Sequence, residues 1–174
     1  DGNCTADLDC LGECGGVAVN DECGICNGDG SSCLGITLSF LNVNTADGTM
    51  DIYMTNELEL GGFQIELSGL NIISASGGSA TSAGFAISAS SSTLLGFSMT
   101  GATIPAGEGV LLNITFDSPT PEICFNEDTV LSDASAAPIT TTLGDCYLGT
   151  PGCMDVAACN YNDGATYDDG SCAF

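Results

Sequence analysis

Between residues 35 and 148 apolar and polar side chains alternate one by one in several short runs. Ile36, Leu38 and Phe40 stand on one parity, with Thr37 and Ser39 on the other. Met50, Ile52 and Met54 alternate with Asp51, Tyr53 and Thr55; Phe63, Ile65 and Leu67 with Gln64, Glu66 and Ser68; Leu112, Ile114 and Phe116 with Asn113 and Thr115. A period of two is the signature of a strand with one face buried and one face wet. Turn residues punctuate the runs at Ala46-Asp47-Gly48, Gly77-Gly78, Pro105-Ala106-Gly107 and Ser118-Pro119. No stretch carries a helical stripe. About eight or nine strands at this spacing predict an all-β protein, an antiparallel jelly-roll-like β-sandwich. The strand parities place Phe40, Ile52, Phe63, Ile65, Phe97, Ile114 and Phe116 in its core.

The alternation stops at both ends. Residues 1–34 are rich in Cys, Gly and Asp, and residues 149–174 return to Cys, Asn, Asp and Gly. Three parts are therefore expected: a connector over 1–34, the sandwich over 35–148 and a second connector over 149–174. Segments as short as the flanks need staples or metal in place of a core. The 11 cysteines are Cys4, Cys10, Cys14, Cys23, Cys26, Cys33, Cys124, Cys146, Cys153, Cys159 and Cys172. Disulfides formed in an oxidising compartment are the favoured reading. A zinc ribbon on Cys10-x3-Cys14 and Cys23-x2-Cys26 competes with it. Cys124 and Cys146 bracket the last strands, and a bridge between them would contribute about 2–4 kcal/mol. The odd count leaves one cysteine for a bond between units, and it is expected in the trio Cys153, Cys159 and Cys172. The chain begins at Asp1, shows no signal-peptide or transmembrane pattern, and reads as a processed product or a piece of a longer chain. Secretion or a cell-surface location is inferred from the cysteines and sequons.

Charge changes the picture most. The chain has 23 Asp and Glu and no Lys, Arg or His, a formal net charge of −23. Nucleic acid is excluded as a partner, because phosphate binding needs Lys and Arg. An acidic membrane surface is disfavoured for the same reason, and no membrane insertion is expected. The carboxylates must repel one another or be neutralised by metal ions. Calcium, which takes six to eight hard oxygens, is the expected cofactor. Its candidate ligands are Asp1, Asn3, Asp7 and Asp9; then Asp21, Glu22, Asn27 and Asp29 in one Gly-rich loop; then Asp155, Asn160, Asn162, Asp163, Asp168 and Asp169. None forms the 12-residue EF-hand loop. The same residues also make ordinary Asx turns.

Two N-x-S/T sequons, Asn3-Cys4-Thr5 and Asn113-Ile114-Thr115, are candidate glycosylation sites, and Asn113 lies on the polar parity of its strand. The Ser/Thr-rich stretches 88–93 and 140–142 are candidate O-glycan carriers. Catalysis has little to stand on: without His or Lys, a Ser or Cys nucleophile lacks its usual base. A carboxylate pair could hydrolyse a glycoside, but Trp is absent and a sugar platform is poorly supplied. Tyr53, Tyr147, Tyr161 and Tyr167 are the residues left to stack on a carbohydrate.

The segments Gly61-Gly62-Phe63-Gln64-Ile65, Leu95-Gly96-Phe97-Ser98 and Ile104-Pro105-Ala106-Gly107 resemble cohesin-like domains, secreted β-sandwiches of microbial surface and cellulose-degrading assemblies. That resemblance implies binding of a calcium-loaded dockerin. The run from Asp21 through Cys23, Cys26 and Asp29 to Cys33 resembles the cysteine-and-aspartate repeats of thrombospondin-type and microbial surface proteins. Gly152-Cys153-Met154-Asp155 through Cys159-Asn160-Tyr161-Asn162 to Asp168-Asp169-Gly170-Ser171-Cys172 resembles a short repeat of large secreted microbial proteins, which often keeps another cysteine near the position of Tyr167. The leading expectation is a non-enzymatic structural or adhesive unit that joins copies of itself head-to-tail into an extracellular filament or tandem array, stiffened by calcium and disulfides, with glycans as possible further partners. A cohesin-like or carbohydrate-binding recognition module is the alternative, and a hydrolase the third reading.

Overall fold

The computed structural model describes residues 8–20, 26–27 and 35–174. Residues 1–35 and 36–174 form two compact units. In the first, isolated bridges pair Leu8 with Cys14 and Asn20 with Cys26. A disulfide joins Cys10 to Cys26, and Cys14 is also disulfide-bonded. Cys4, Cys23 and Cys33 lie outside the described residues.

The second unit is the β-sandwich. Its strands are β1 (Ile36–Asn44), β2 (Thr49–Asn56), β3 (Gly62–Ser68), β4 (Asn71–Ser76), β5 (Ala86–Ala89), β6 (Thr93–Phe97), β7 (Gly107–Asp117), β8 (Glu122–Phe125), β9 (Val130–Ser132), β10 (Pro138–Ile139), β11 (Thr141–Leu143) and β12 (Tyr147–Leu148). One sheet runs β11-β1-β2-β7-β4. The other runs β10-β9-β3-β6-β5, with β8 also on β3 and β12 on β8. The sheets are antiparallel except at one edge, where β11 joins β1 in parallel. Two short parallel strands, β13 (Pro151–Gly152) and β14 (Tyr167–Asp168), form a separate ladder near the C-terminus.

The inward side chains of both sheets merge into one apolar cluster. Ile36, Leu38, Met50, Ile52 and Ile114 come from the first sheet, and Phe63, Ile65, Leu94, Ile123 and Leu131 from the second. The strand parities of β1, β2, β3 and β7 thus bury the residues that alternation assigns to the core. Phe40 is only partly buried, but its ring stacks on Phe125 at 4.1 Å. A bulge adds one side chain that strict alternation would expose. Ile52 pairs with Leu112 and Tyr53 with Val110, so Leu111 is the extra residue, and Leu111 and Leu112 are both fully buried.

One expectation is corrected. Phe97 is not in the core; half of it is exposed. Gly96 takes the inward position of β6 instead, opposite Phe63. The Phe63 ring lies where a Cβ of residue 96 would stand, a cross-strand cover of glycine by an aromatic ring. The Gly77-Gly78 turn opens a helical turn, α1 (Gly78–Ser82). Its two glycines adopt φ of 75° and 62°, close to residues 110, 111 and 113 of β7. Ala80 of α1 is fully buried.

Residues 149–174 are stitched to neighbouring chain by backbone and hydroxyl groups. Gly149 N–H donates to Pro121 O at 2.7 Å, and the Thr45 hydroxyl donates to Thr166 O at 3.0 Å. Disulfides join Cys124 to Cys146 and Cys153 to Cys172. Cys159, a member of the trio in which the unpaired cysteine is expected, is an exposed free thiol. Its backbone N–H is held by Ala173 O at 2.8 Å, and the neighbouring sulfurs have already paired.

The packing of Phe63 over Gly96 makes a sharp comparison of neighbouring positions. Gly96→Ala should cost about 1–3 kcal/mol, because the ring must move. Phe97→Ser, one residue on, should cost under about 0.5 kcal/mol. Chemical denaturation of both variants measures this; equal losses would show that Phe97 is a core residue.

Candidate functional site

An antiparallel sheet on a solvated surface ordinarily shows polar side chains outward. The first sheet follows this rule on its central strands, β2 and β7. Asp51 accepts from Asn113 Nδ2 at 2.7 Å and from Asn42 Nδ2 at 2.8 Å. The Thr115 hydroxyl meets that of Ser74 at 2.6 Å. Asn113, the second sequon, is exposed on this face.

The second sheet breaks the rule. Leu95, Phe97 and Val130 are 40%, 50% and 51% exposed on its outer face, and Met99, just past β6, is 84% exposed. Register explains how they meet. Gln64 stands opposite both Leu95 and Val130, and Gly62 opposite both Phe97 and Ser132. Gly62 brings no side chain, so the centre of the face sinks into a shallow depression of about 390 Å³ between Phe97, Leu95, Val130 and Ser132. Single exposed apolar residues are ordinary on proteins; a contiguous group around a depression marks an interaction surface. Its polar border is acidic. Glu66 accepts from Gln64 Nε2 at 3.2 Å and from the Thr93 hydroxyl at 2.9 Å. Sequence reasoning missed this face because it assigned Phe97 inward; the signal was Gly96, whose lack of a side chain suits the position beneath an aromatic ring.

Most of the expected calcium ligands that the structure describes sit in turns. Asp1, Asn3, Asp7, Asp21, Glu22 and Asp29 lie outside the described residues. Asp9 accepts the backbone N–H of Leu11 and Glu13 on Oδ1 at 3.0 and 2.8 Å, and that of Ala18 on Oδ2 at 3.3 Å. Asn27 takes a left-handed turn conformation, φ 56°. In the C-terminal segment Asp155, Asn162, Asp168 and Asp169 each accept the N–H two residues on, from Ala157, Gly164, Gly170 and Ser171. These are Asx turns. Asn160 clamps the chain end, donating to Ser171 O at 2.7 Å and accepting from Ala173 N–H at 2.8 Å. Asp163 is exposed. Among the described residues, the group of carboxylates and thiols close enough to share an ion is Glu122, Cys124 and Cys146, and its two sulfurs are spent in the disulfide. No described helix is long and apolar enough to cross a membrane.

No family model matches this chain, and no curated protein matches it. Solved cohesin modules are similar to it in structure. The sixth cohesin of scaffoldin B from Acetivibrio cellulolyticus, solved in complex with a dockerin, is 18% identical, with a TM-score of 0.45 over 63% of this chain and 96% of that one. A non-cellulosomal cohesin from Archaeoglobus fulgidus is 12% identical, with a TM-score of 0.46 over 62% and 85%. A type III cohesin from a cell-surface anchoring scaffoldin of Ruminococcus flavefaciens is 17% identical, with a TM-score of 0.42 over 68% and 90%.

Two carboxylates titrate abnormally because of these turns. The Glu13 N–H, followed by those of Ala18, Leu11 and Gly12, holds Asp9 below its ordinary value against opposing desolvation. The Ser171 hydroxyl and N–H do the same for Asp169. Folded pKa values below the unfolded value of about 4 mean that the stabilising contribution is complete above that value. It is lost as pH falls through the lowered folded values. NMR titration should therefore show the Glu13 and Ser171 amide signals moving with midpoints below about pH 4. A midpoint above the ordinary carboxylate range would contradict the turn geometry.

Proposed function

We propose that this chain is a non-catalytic recognition module of an extracellular protein, docking a polypeptide partner on the outward face of its second sheet. The observation that carries this reading is the contiguous exposure of Leu95, Phe97 and Val130 around Gly62, against the polar outward side of β2 and β7. Two of the segments that resemble cohesin-like domains, 61–65 and 95–98, are the paired strands β3 and β6 that build this face. The partner's chemistry follows from charge. With 23 carboxylates and no cationic side chain, the module favours apolar anchors flanked by Lys or Arg, whose attraction also speeds encounter. A dockerin-like module is one such class of partner. The disulfides fit an oxidising, extracellular setting.

A second reading, the head-to-tail filament or tandem array, is favoured by one observation: the exposed Cys159 thiol. A disulfide between the Cys159 thiols of two copies would join units in covalent pairs, and a second, heterologous contact, which grows open chains unless its rotation closes, would extend them. In this reading calcium bound by Asp155, Asp163, Asp168 and Asp169 with Asn160 and Asn162 screens the repulsion between units, and an N-glycan on Asn113 covers the polar face.

Photo-crosslinking separates the two. A photoreactive phenylalanine analogue at position 97, with position 115 as the control face, should give adducts with a basic partner polypeptide from 97 only. Binding to that partner should weaken with salt, and Phe97→Ser should cost about 2 kcal/mol or more of affinity while leaving the fold intact. Adducts between copies of the chain, strengthening with salt, would replace this reading with the array; no adduct at 97 would remove it.

The calcium and thiol components have their own test. Millimolar chelator should lower the melting temperature and expose residues 149–174 to a protease other than trypsin, which has no Lys or Arg to cleave. Non-reducing electrophoresis should show dimers that vanish in Cys159→Ser. Unchanged melting and digestion would discard calcium; monomers alone under oxidising conditions would discard the inter-unit bond.

A further inference from the structure

The short strand β12 is held to β8 by two residue pairs, Tyr147 on Ile123 and Leu148 on Glu122. One step along the same register Cys146 faces Cys124. Their Cα atoms are 4.4 Å apart, the close spacing of an antiparallel pair that exchanges no hydrogen bond. Ile123 is fully buried, so its neighbours Glu122 and Cys124 turn outward. Cys146, directly across from Cys124, shares that side of the ladder. One carboxylate and two sulfurs are thereby gathered on one face, and the three ligand atoms lie within 4.8 Å of one another. Glu122 is exposed and both cysteines are half-buried, so the group lies at the surface. Cys153 of the C-terminal bridge is, by contrast, fully buried.

We infer that, once a dithiol reductant opens the Cys124–Cys146 bridge, these two cysteines and Glu122 bind a zinc ion. The dithiol gives two electrons to the bridge and closes into a disulfide itself, while its two thiol protons pass to the Cys124 and Cys146 sulfurs. Zinc then displaces both protons to solvent and takes the two thiolates. The Glu122 carboxylate is the third ligand, and water completes the tetrahedron. Ligand type picks the ion. Two thiolates suit zinc, whereas calcium asks for six to eight oxygens and finds one carboxylate here. Spacing agrees, because ligands around one zinc stand roughly 3–4 Å from one another. The freed sulfurs need only move apart, and the carboxylate is already beside them. Charge favours the ion as well, since the chain has no Lys or Arg to compete for Glu122. Zinc and the disulfide are thus alternative clasps for one ladder, the disulfide in oxidising surroundings and zinc in reducing ones. Either clasp keeps β12 on β8, from which Gly149 reaches Pro121 O and the chain continues into residues 149–174. The site is separate from the Leu95–Phe97 face, so the two ideas fail independently.

The test opens the bridges of the whole chain with a phosphine, which does not compete for zinc as thiols do. It then adds zinc and maps the alkylation of each cysteine by mass spectrometry. With free zinc at about ten times the dissociation constant, alkylation of Cys124 and Cys146 should slow roughly tenfold, while Cys159 reacts at its metal-free rate. Glu122→Gln should bind about 10-fold or more weakly, which reduces the slowing to about twofold or less at the same zinc. Glu127→Gln, an exposed acid just past β8, should keep it in full, and calcium should produce none. The Ile123 methyl, followed by NMR, reports in each sample that the sandwich persists. Any one of five results would overturn the inference: unslowed alkylation of Cys124 or Cys146, equal slowing of Cys159, full slowing in Glu122→Gln, the same slowing with calcium, or a core lost on reduction that zinc does not restore.

Discussion

Twenty-three carboxylates share this chain without one cationic side chain, so no side-chain salt bridge can form and an acid held by the protein is held by neutral donors. Much of the local structure follows from that constraint. Side-chain amides stand where another protein would place Lys or Arg: Asn42 and Asn113 on Asp51, Asn44 on Asp47, Asn71 on Asp117 and Gln64 on Glu66. Hydroxyls of Thr93 and Thr103 serve Glu66 and Glu59. Backbone N–H groups serve the rest, at Asp9, Asp133, Asp155, Asp168 and Asp169. The last arrangement forces the chain into tight Asx turns, and residues 149–174 accordingly hold several of them, closed by the Cys153–Cys172 disulfide.

The constraint shapes the surface as well. Amide–carboxylate pairs cover the outward side of β2 and β7, leaving few unpaired donors there for a partner. On the second sheet the corresponding positions hold Leu95, Phe97 and Val130, which hydrogen bonding cannot satisfy. The central strands of one sheet therefore present paired polar groups, and the other sheet gathers apolar side chains beside the Gln64–Glu66 pair. Association through that apolar group removes apolar area from water, while the surrounding negative field discriminates among partners by their charge.

Alternation carried much of the sandwich because a period of two states directly which side chains turn inward. Met50, Ile52, Met54, Phe63, Ile65, Leu67, Ile114 and Phe116 are all buried. The method fails where the period is interrupted or the run is short. Leu111 is buried through a bulge that a fixed parity cannot anticipate. Leu60, Ile104 and Leu131 lie in the core from a bridge or a three-residue strand, runs too brief to show a rhythm. Phe97 was misplaced because residue type outweighed parity, although Gly96 beside it carried the decisive information. The cysteine spacings left the pairing of Cys153 with Cys172 open, since connectivity follows from which backbone segments lie side by side. The acidic clusters were legible as turns or as cation ligands alike, because Asp and Asn followed by Gly satisfy both descriptions.

Glycine is the residue through which this sequence makes concave surface. In a β-sandwich an inward glycine leaves a gap that a neighbour must fill, and an outward glycine leaves a dip in the sheet. Gly96 shows the filled case, with the Phe63 ring over it. Gly62 shows the outward case, flanked by Phe97 and Ser132 across both neighbouring strands. Gly107 and Gly109 show a gap left open where β7 enters the sheet, opposite Asn56 and Met54. An unfilled inward position forfeits dispersion contacts on every side, and packing alone would favour larger residues there. Two such positions on one side of β7, exposed Gly107 and half-buried Gly109, concentrate the cost at one place. Sites that break local packing rules are where function is to be sought, and here the break lies where β7 enters the sheet.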